Sequence, residues 1–399
     1  MTVPNARFIG FVTLLGAMAA VPAVTVDMYL PSLPEVAADL NTNSAQASAT
    51  ITGMLIGGAI GQILVGTLSD KFGRKAPFAA GLLIHTLTSV ACIFAPTITS
   101  LIGLRVLQGV GNAAAKVTSM AIIRDRFQGA RAAAIMSRLM LVIGLAPLLA
   151  PTIGGFIAAH WHWRAVFVVL AIIGALVLVT TLLVMPETHP AEKRMKEPLS
   201  RAFRTYAVLV RDRQFMALAV VPALALAALF SYVSASPFVL REGFGLTEKQ
   251  FAIIFAINGI GIVLGAQINA RLVKTMMPLS ILRRAMPIEV LMALGVVLAA
   301  VLAPTSLLAI SIPLFFVLAL NAVVMPNATA TALSLHGDRA GSAAAVVGAT
   351  QVGLAGLISP VVGLLGSTAI AMGGLIAIVV SIGYLLIRLV PEQDGPSIA

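Results

Sequence analysis

The chain has 399 residues, 59% of them hydrophobic and only 10% charged, with a mean hydropathy of +1.01. A soluble fold of this length needs far more polar surface, so a water-soluble enzyme or binding domain is excluded and lipid is the expected solvent. The formal charge of +11 would suit a nucleic-acid partner, but the basic residues stand almost entirely between apolar runs, which points to membrane topology instead.

Runs of about 20 apolar residues read as membrane spans. Twelve follow one another: Phe8 to Leu30, Thr50 to Leu68, Ala76 to Ala95, Thr99 to Ile123, Ala132 to Ala158, Ala165 to Met185, Phe215 to Val239, Gln250 to Leu272, Ala285 to Ala303, Leu307 to Leu335, Ala343 to Leu365 and Ala369 to Val390. The first run is too long for the apolar core of a signal peptide and reads as a retained helix. The longest connection carries seven basic residues together with Pro190 and Pro198. It divides the chain into an N-terminal bundle at 1–186, a linker at 187–213 and a C-terminal bundle at 214–399. Within the linker, Phe203, Tyr206 and Val210 with nearby arginines fit either a short amphipathic helix or a solvated strand of chain. The fold class is therefore all-α and integral to the membrane, with twelve helices in two six-helix bundles.

If the amino terminus is cytoplasmic, twenty of the 26 basic residues fall on inner segments, and only Arg164, Arg241 and Lys249 on outer loops. The positive-inside rule then puts both termini in the cytoplasm. The halves echo one another faintly: Gly66-Thr67-Leu68-Ser69-Asp70 resembles Gly265-Ala266-Gln267-Ile268-Asn269, and Asn112 corresponds to Asn321. Parallel six-helix repeats are one arrangement of secondary transporters, with the substrate site near the midplane.

Span 1 contains Asp27 in Val26-Asp27-Met28-Tyr29-Leu30-Pro31. An ionisable residue in hydrocarbon costs at least about 2.5 to 3.5 kcal/mol and usually serves ions or substrate. Span 4 adds a polar stripe. At 100° per residue Arg105, Asn112 and Lys116 fall within about 40° of one another, with Gln108 and Ser119 beside them. The stripe is about 16 Å long, too long for both ends to reach one interface, so it predicts a hydrated cavity. Other intramembrane polar residues are Tyr232, Ser234, Ser236, Asn258, Asn321, Asn327 and Gln351, which either face the cavity or bind helices together. Glu289, read as one turn into span 9, is expected to pair with Arg283 and Arg284 at the interface. His160-Trp161-His162-Trp163-Arg164 reads as an outer interface anchor, since two histidines without a nearby acid or thiol make a poor metal site. No Gly-Lys-Ser/Thr loop for a nucleotide phosphate is present, so no cofactor and no ATP drive are expected.

Three motifs carry a family resemblance. Gly66-Thr67-Leu68-Ser69-Asp70-Lys71-Phe72-Gly73-Arg74-Lys75, between spans 2 and 3, resembles the loop signature of the major facilitator superfamily. Physically, Gly66 and Gly73 permit close approach and a tight turn. Arg105-Val106-Leu107-Gln108-Gly109-Val110-Gly111 resembles its second signature. The segment Gly144-Leu145-Ala146-Pro147 through Pro151-Thr152-Ile153-Gly154-Gly155 resembles the motif of its exporting, proton-antiporting branch, with Ala150 in place of the usual glycine. Together with Asp27-Met28-Tyr29-Leu30-Pro31, the chain resembles the Bcr/CflA group of drug exporters along nearly its whole length.

The resemblance implies a proton-coupled exporter of small amphipathic compounds, phenicol-like or bicyclomycin-like, working by alternating access as a monomer in a bacterial inner membrane. Its partners would be the drug or metabolite, protons and membrane lipid. Asp27 and Arg105 are the expected proton-coupling pair. Asp27, Tyr29, Gln108, Asn112, Lys116, Tyr232, Ser236, Asn258, Asn321 and Gln351 are the expected substrate contacts. Gly66, Asp70, Gly73, Arg74, Lys75, Asp125, Pro151, Gly154 and Gly155 are the expected gate. There Asp70 would face the start of span 11 near Gly341-Ser342-Ala343, and Arg74 would pair with Asp125. Export of an amino acid or sugar derivative, or a passive channel or receptor, are the alternative readings.

Overall fold

The computed structural model describes residues 6–127, 135, 149–194, 199–336, 339–358 and 360–390. Residues 144–148 of the span 5 motif lie outside the described residues. The helices are α1 Ala6–Asp27, α2 Leu33–Asp39, α3 Ser44–Phe72, α4 Lys75–Ile93 and α5 Ile98–Arg126, followed by α6 at 149–161 and α7 Arg164–Val184. After the linker helix α8 Leu199–Arg211 come α9 Arg213–Ser236, α10 Glu248–Leu272, α11 Pro278–Leu302, α12 Leu307–Ser334, α13 Ala340–Ile358, the single turn α14 Val361–Leu364 and α15 Ala369–Arg388. Among the described residues, ten helices are long and apolar enough to cross a membrane. The charged α5, which matches α3 at 29 residues, and the partly described α6 complete twelve.

Helix starts follow capping chemistry. On the face away from the basic loops, α3, α5, α10, α12 and α15 begin at Asn43, Thr97, Thr247, Ser306 and Thr368, whose side-chain oxygens each accept a backbone N–H of the first turn. These caps satisfy amides that lipid cannot. The face carrying Lys71, Arg74, Lys75 and the linker is called the basic side, and the other the capped side.

Two of the differences from the expected span ends bear on the site. Span 1 stops at Asp27 rather than Leu30, turns through Met28 and Tyr29, and runs by a short 3-10 turn, Leu30–Ser32, into α2. Pro31 and Pro34 explain the break, because neither can donate to the helix ladder and each disfavours helical backbone before it. Span 9 starts at Pro278 instead of Ala285, with proline at its first position and Ile281 and Leu282 buried. Arg283 fits inside this helix because it donates to the Val390 carbonyl at 2.8 Å. Glu289 therefore lies about three turns in, near the middle of the helix.

Packing shows how the two halves meet. One buried apolar cluster on the capped side joins both, mixing Met28, Tyr29, Ile51, Leu101 and Phe167 with Leu224, Tyr232, Phe255, Leu314 and Leu375. On the basic side the core splits in two among the described residues. Leu15, Met18, Phe78, Ile122 and Val177 form one cluster, and Phe215, Leu218, Ile281, Val324 and Val347 the other. The halves are therefore closed on the capped side and parted on the basic side. Contact between them runs along α3 and the α13–α14 segment, where Leu55 and Gly58 of α3 meet Gly356 and Val352 of α13 and Ala45 meets Gly363 of α14. The linker helix α8 spans the parting: Leu209 is buried in the C-terminal cluster, and the Tyr206 hydroxyl bonds Thr67 of α3 at 3.0 Å.

Arg241 fastens the capped side. Its Nη1 donates to the Pro31 carbonyl at 2.8 Å and its Nη2 to Glu248 at 3.0 Å. A charge-assisted bond contributes about 1.5 to 3 kcal/mol. Arg241→Ala should therefore raise the fraction opened on the capped side roughly tenfold or more, read as faster labelling of a cysteine placed at Ser32. Unchanged labelling would show the bond to be incidental.

Candidate functional site

The break after α1 positions the site. Asp27 is the last residue of α1, with 7% of its surface exposed, and among the described residues no ion pair or hydrogen bond engages its carboxylate. The backbone just beyond it is gripped by α6. A Cβ on Gly154 would overlap the Met28 carbonyl, whereas one on Gly155 would meet Pro31 at an ordinary 3.6 Å. Of the two glycines, only Gly154 is demanded by close approach. Pro151 is buried one turn before it.

Arg105 is fully buried and does not reach Asp27. Its guanidinium lies 4.8 Å from the Tyr29 ring and 5.7 Å from the Phe167 ring. Its Nη1 donates to Gln108 Oε1 at 2.5 Å, and Gln108 Nε2 donates to Ser89 at 2.7 Å. The Tyr29 hydroxyl accepts from Thr50 at 3.1 Å. Arg105, expected to act on Asp27 from a comparable depth, here sits in an aromatic cradle, because the turn after Asp27 brings Tyr29 beneath the cation. Arg105 Nε and Nη2 have no protein partner among the described residues.

Further along α5, Asn112 is 3% exposed, lies next to the buried ring of His85, and among the described residues neither of its amide atoms has a hydrogen-bond partner. Lys116 lies about 20° from Arg105 around the helix and is exposed. Its face is not the lipid face: Leu107, on the opposite side of α5, is 52% exposed. Lys116 keeps accessible surface although it sits deep among protein atoms, as a residue lining the parting between the clusters does.

The remaining expected substrate contacts are engaged within the C-terminal half. Asn258 Nδ2 donates to the Tyr232 hydroxyl at 2.9 Å, Ser236 donates to the Val233 carbonyl at 3.2 Å, and Gln351 Nε2 donates to Thr329 at 2.9 Å. Asn321 Nδ2 donates to the Ala225 carbonyl at 2.8 Å and to Glu289 Oε1 at 3.4 Å. Glu289 is 1% exposed. Its expected pairing with Arg283 and Arg284 is not found among the described residues, because α11 starts two turns earlier than the hydropathy pattern placed it.

At the basic side Arg74 is the hub of the loop. Its Nε donates to Asp125 at 2.7 Å, and its Nη1 to Asp70 at 2.6 Å and Ser69 at 2.9 Å. Asp70 is bonded to Arg74, and no bond to the start of α13 is found among the described residues. The parting of the halves on this side accounts for that difference. Gly73 has φ +92°, which favours glycine, but a Cβ on Gly66 would enter open space, so close approach does not explain Gly66 in this state. Lys75 donates its Nζ to the Leu182 carbonyl at 2.9 Å.

Burial opposes the charge on Arg74, but the bonds to Asp125 and Asp70 outweigh it and hold its pKa above the usual value. Glu187, which the sequence did not single out, accepts from the backbone N–H of Arg74, Lys75, Thr188 and His189 and so caps α4. Partial burial raises its pKa, yet these four bonds prevail and lower it. A depressed carboxylate pKa stabilises the fold fully above the ordinary glutamate value, and the benefit fades as pH falls through the folded value. Melting curves should therefore show Glu187→Gln less stable than the native chain at neutral pH, with the gap narrowing in acid. A constant gap would contradict this.

The anchor motif also has a second role. Trp161 is 63% exposed, but Trp163 is buried and donates its Nε1 to Asp39 at 3.1 Å, while Arg164 bonds the same carboxylate at 2.5 Å. This corner holds α2 over the capped side.

The model of the Major Facilitator Superfamily matches residues 9–360. The chain is 36% identical over 355 residues to an uncharacterized MFS-type transporter, YdgK, of Bacillus subtilis, with 88% of each chain covered. It is 31% identical over 352 residues to a bicyclomycin resistance protein homolog of Haemophilus influenzae, again with 88% of each covered. It is 32% identical to the multidrug resistance protein MdtL of Escherichia coli O157:H7 over 58% of this chain and 59% of that one. Among solved structures, a partially occluded inward-open xylose transporter from E. coli matches with TM-score 0.74 at 15% identity, covering 97% of this chain and 99% of that one. An inward-facing bacterial homolog of the lysosomal transporter Spinster matches with TM-score 0.72 at 16% identity, covering 97% and 98%. At these identities the structures bear on the fold alone. Twelve helices in two bundles, the loop motif and the family match together make this multi-pass membrane chain a transporter of the major facilitator superfamily, of the Bcr/CflA type.

Proposed function

We propose that the protein exports small amphipathic compounds of the phenicol or bicyclomycin kind in exchange for protons, by alternating access. The basic side is cytoplasmic in this reading, so the parted state faces inward and loads substrate from the cytoplasm. Asp27 carries the proton. The observation that bears most weight is its carboxylate: buried, unpaired among the described residues, and set at a helix break against Gly154. An acid with no structural partner at such depth is retained for function. The names of the Haemophilus and Escherichia relatives, resistance to bicyclomycin and to multiple drugs, support the substrate class.

Movement of Asp27 between a closed and a hydrated setting would let it release a proton in one state and bind one in the other. One proton moving down about 100 mV releases about 2.3 kcal/mol, enough for nearly fiftyfold accumulation of drug. Lys116 disfavours cationic drugs in the same gap. Lys116→Ala should therefore admit cationic dyes that the native chain exports poorly, and dye export identical in the two would remove that role.

The function itself is tested in proteoliposomes of the native chain with an imposed pH gradient. Accumulation of a phenicol or bicyclomycin should follow the gradient, saturate with drug and vanish when an ionophore collapses it. Unsaturable flux indifferent to the gradient would indicate a channel.

A further inference from the structure

The mechanism above uses one acid, yet the membrane interior of the C-terminal half holds another. Glu289 is 1% exposed near the middle of α11, and among the described residues it meets no cation. The charged and titratable groups on the elements packed around it are accounted for elsewhere. Arg283 bonds the Val390 carbonyl, Arg388 of α15 bonds Tyr384, and Tyr232 of α9 bonds Asn258. Arg284 lies five residues before Glu289 on α11, about 140° away around the helix, and α12 has no ionisable side chain between Leu307 and Ser334. Among the described residues the partner of the Glu289 carboxyl is Asn321 of α12, at 3.4 Å.

That amide is shared. Asn321 Nδ2 also donates to the Ala225 carbonyl of α9 at 2.8 Å, so one side chain ties α9, α11 and α12 together. Each of these helices carries a proline within about a turn and a half of the tie: Pro222 in α9, Pro287 in α11 and Pro326 in α12. Proline removes ladder bonds and lets a helix bend locally. The tie thus joins three helices at the level where each is easiest to deform.

We propose that Glu289 is a second proton-binding site, and that its protonation state sets how firmly Asn321 holds α9 and α12 to α11 during the conformational cycle. As a carboxylate it accepts a charge-assisted bond, roughly twice as strong as a neutral one. On taking up one proton from water it becomes a neutral acid, and the Asn321 bond weakens. On releasing that proton to water the tie is restored. Glu289 is a positioning residue in this scheme, and the scheme rests on the alternating-access reading but not on Asp27 being the carrier.

The test removes the first site and reads the second. In a full-length chain with Asp27→Asn and Cys92→Ala, spin labels at Phe72→Cys and Val273→Cys report the separation of the two basic-side ends. The ratio of parted to closed states should change about fivefold or more between acid and alkaline pH, the difference between a charge-assisted and a neutral bond. Glu289→Gln should abolish that change and hold the ratio at its acid value. A shift that survives Glu289→Gln, or no shift in the Asp27→Asn chain, overturns the proposal. Infrared difference spectra of the Asp27→Asn chain between the same pH values give a readout that needs no Glu289 variant. A buried carboxylic-acid band that moves in Asn321→Ala supports the site, and no such band overturns it. Failure of the Asp27 reading shows separately, as undiminished drug accumulation by Asp27→Asn in proteoliposomes.

Discussion

Gly154→Ala should cripple export, and Gly155→Ala should leave it near the native rate. The two changes add the same methyl to adjacent positions of α6. At Gly154 the new carbon would overlap the Met28 carbonyl, while at Gly155 it would meet Pro31 at 3.6 Å. Backbone cannot give way as a flexible side chain can, so α6 must retreat from the turn that follows Asp27. Overpacking of this kind costs about 1 to 3 kcal/mol, or roughly fivefold to more than a hundredfold in the population of the native arrangement. Initial rates of drug uptake into inverted vesicles measure the difference. Equal loss in both variants would mean that small residues in α6 serve general packing and not the Asp27 turn.

Asp27→Asn should preserve the fold and abolish concentrative transport. Asparagine keeps the shape and cannot cycle a proton, and no ion pair to Asp27 is lost among the described residues. The variant should let drug equilibrate across a proteoliposome membrane but not accumulate. It would forfeit nearly the whole fiftyfold ratio that one proton supplies at about 100 mV. Accumulation by the variant at the native ratio would move the proton to another group.

The sequence made the spans, the loop motif and Asp27 legible because lipid enforces long apolar runs and makes an interior acid conspicuous. It hid what depends on where helices begin and what they meet. Glu289 read as an interface residue because Arg283 and Arg284 precede it, and only the start of α11 at Pro278 puts it at mid-depth. Charge and depth set Arg105 against Asp27 in the sequence, but the prolines after Asp27 turn the chain so that Tyr29 fills the space under the guanidinium. The Glu187 cap joins residues 113 positions apart, a separation at which no local pattern gives warning. Gly154 was visible as a motif glycine, but its reason, the Met28 carbonyl, lies on another helix.

Exchange of substrate for a proton at Asp27 is tested most directly by running the cycle backwards. In proteoliposomes without a pH gradient, a downhill gradient of drug should drive protons in the opposite direction, seen as a pH change on one side of the membrane. The native chain should show this proton movement and Asp27→Asn none. Drug crossing the native chain with no accompanying pH change would contradict it.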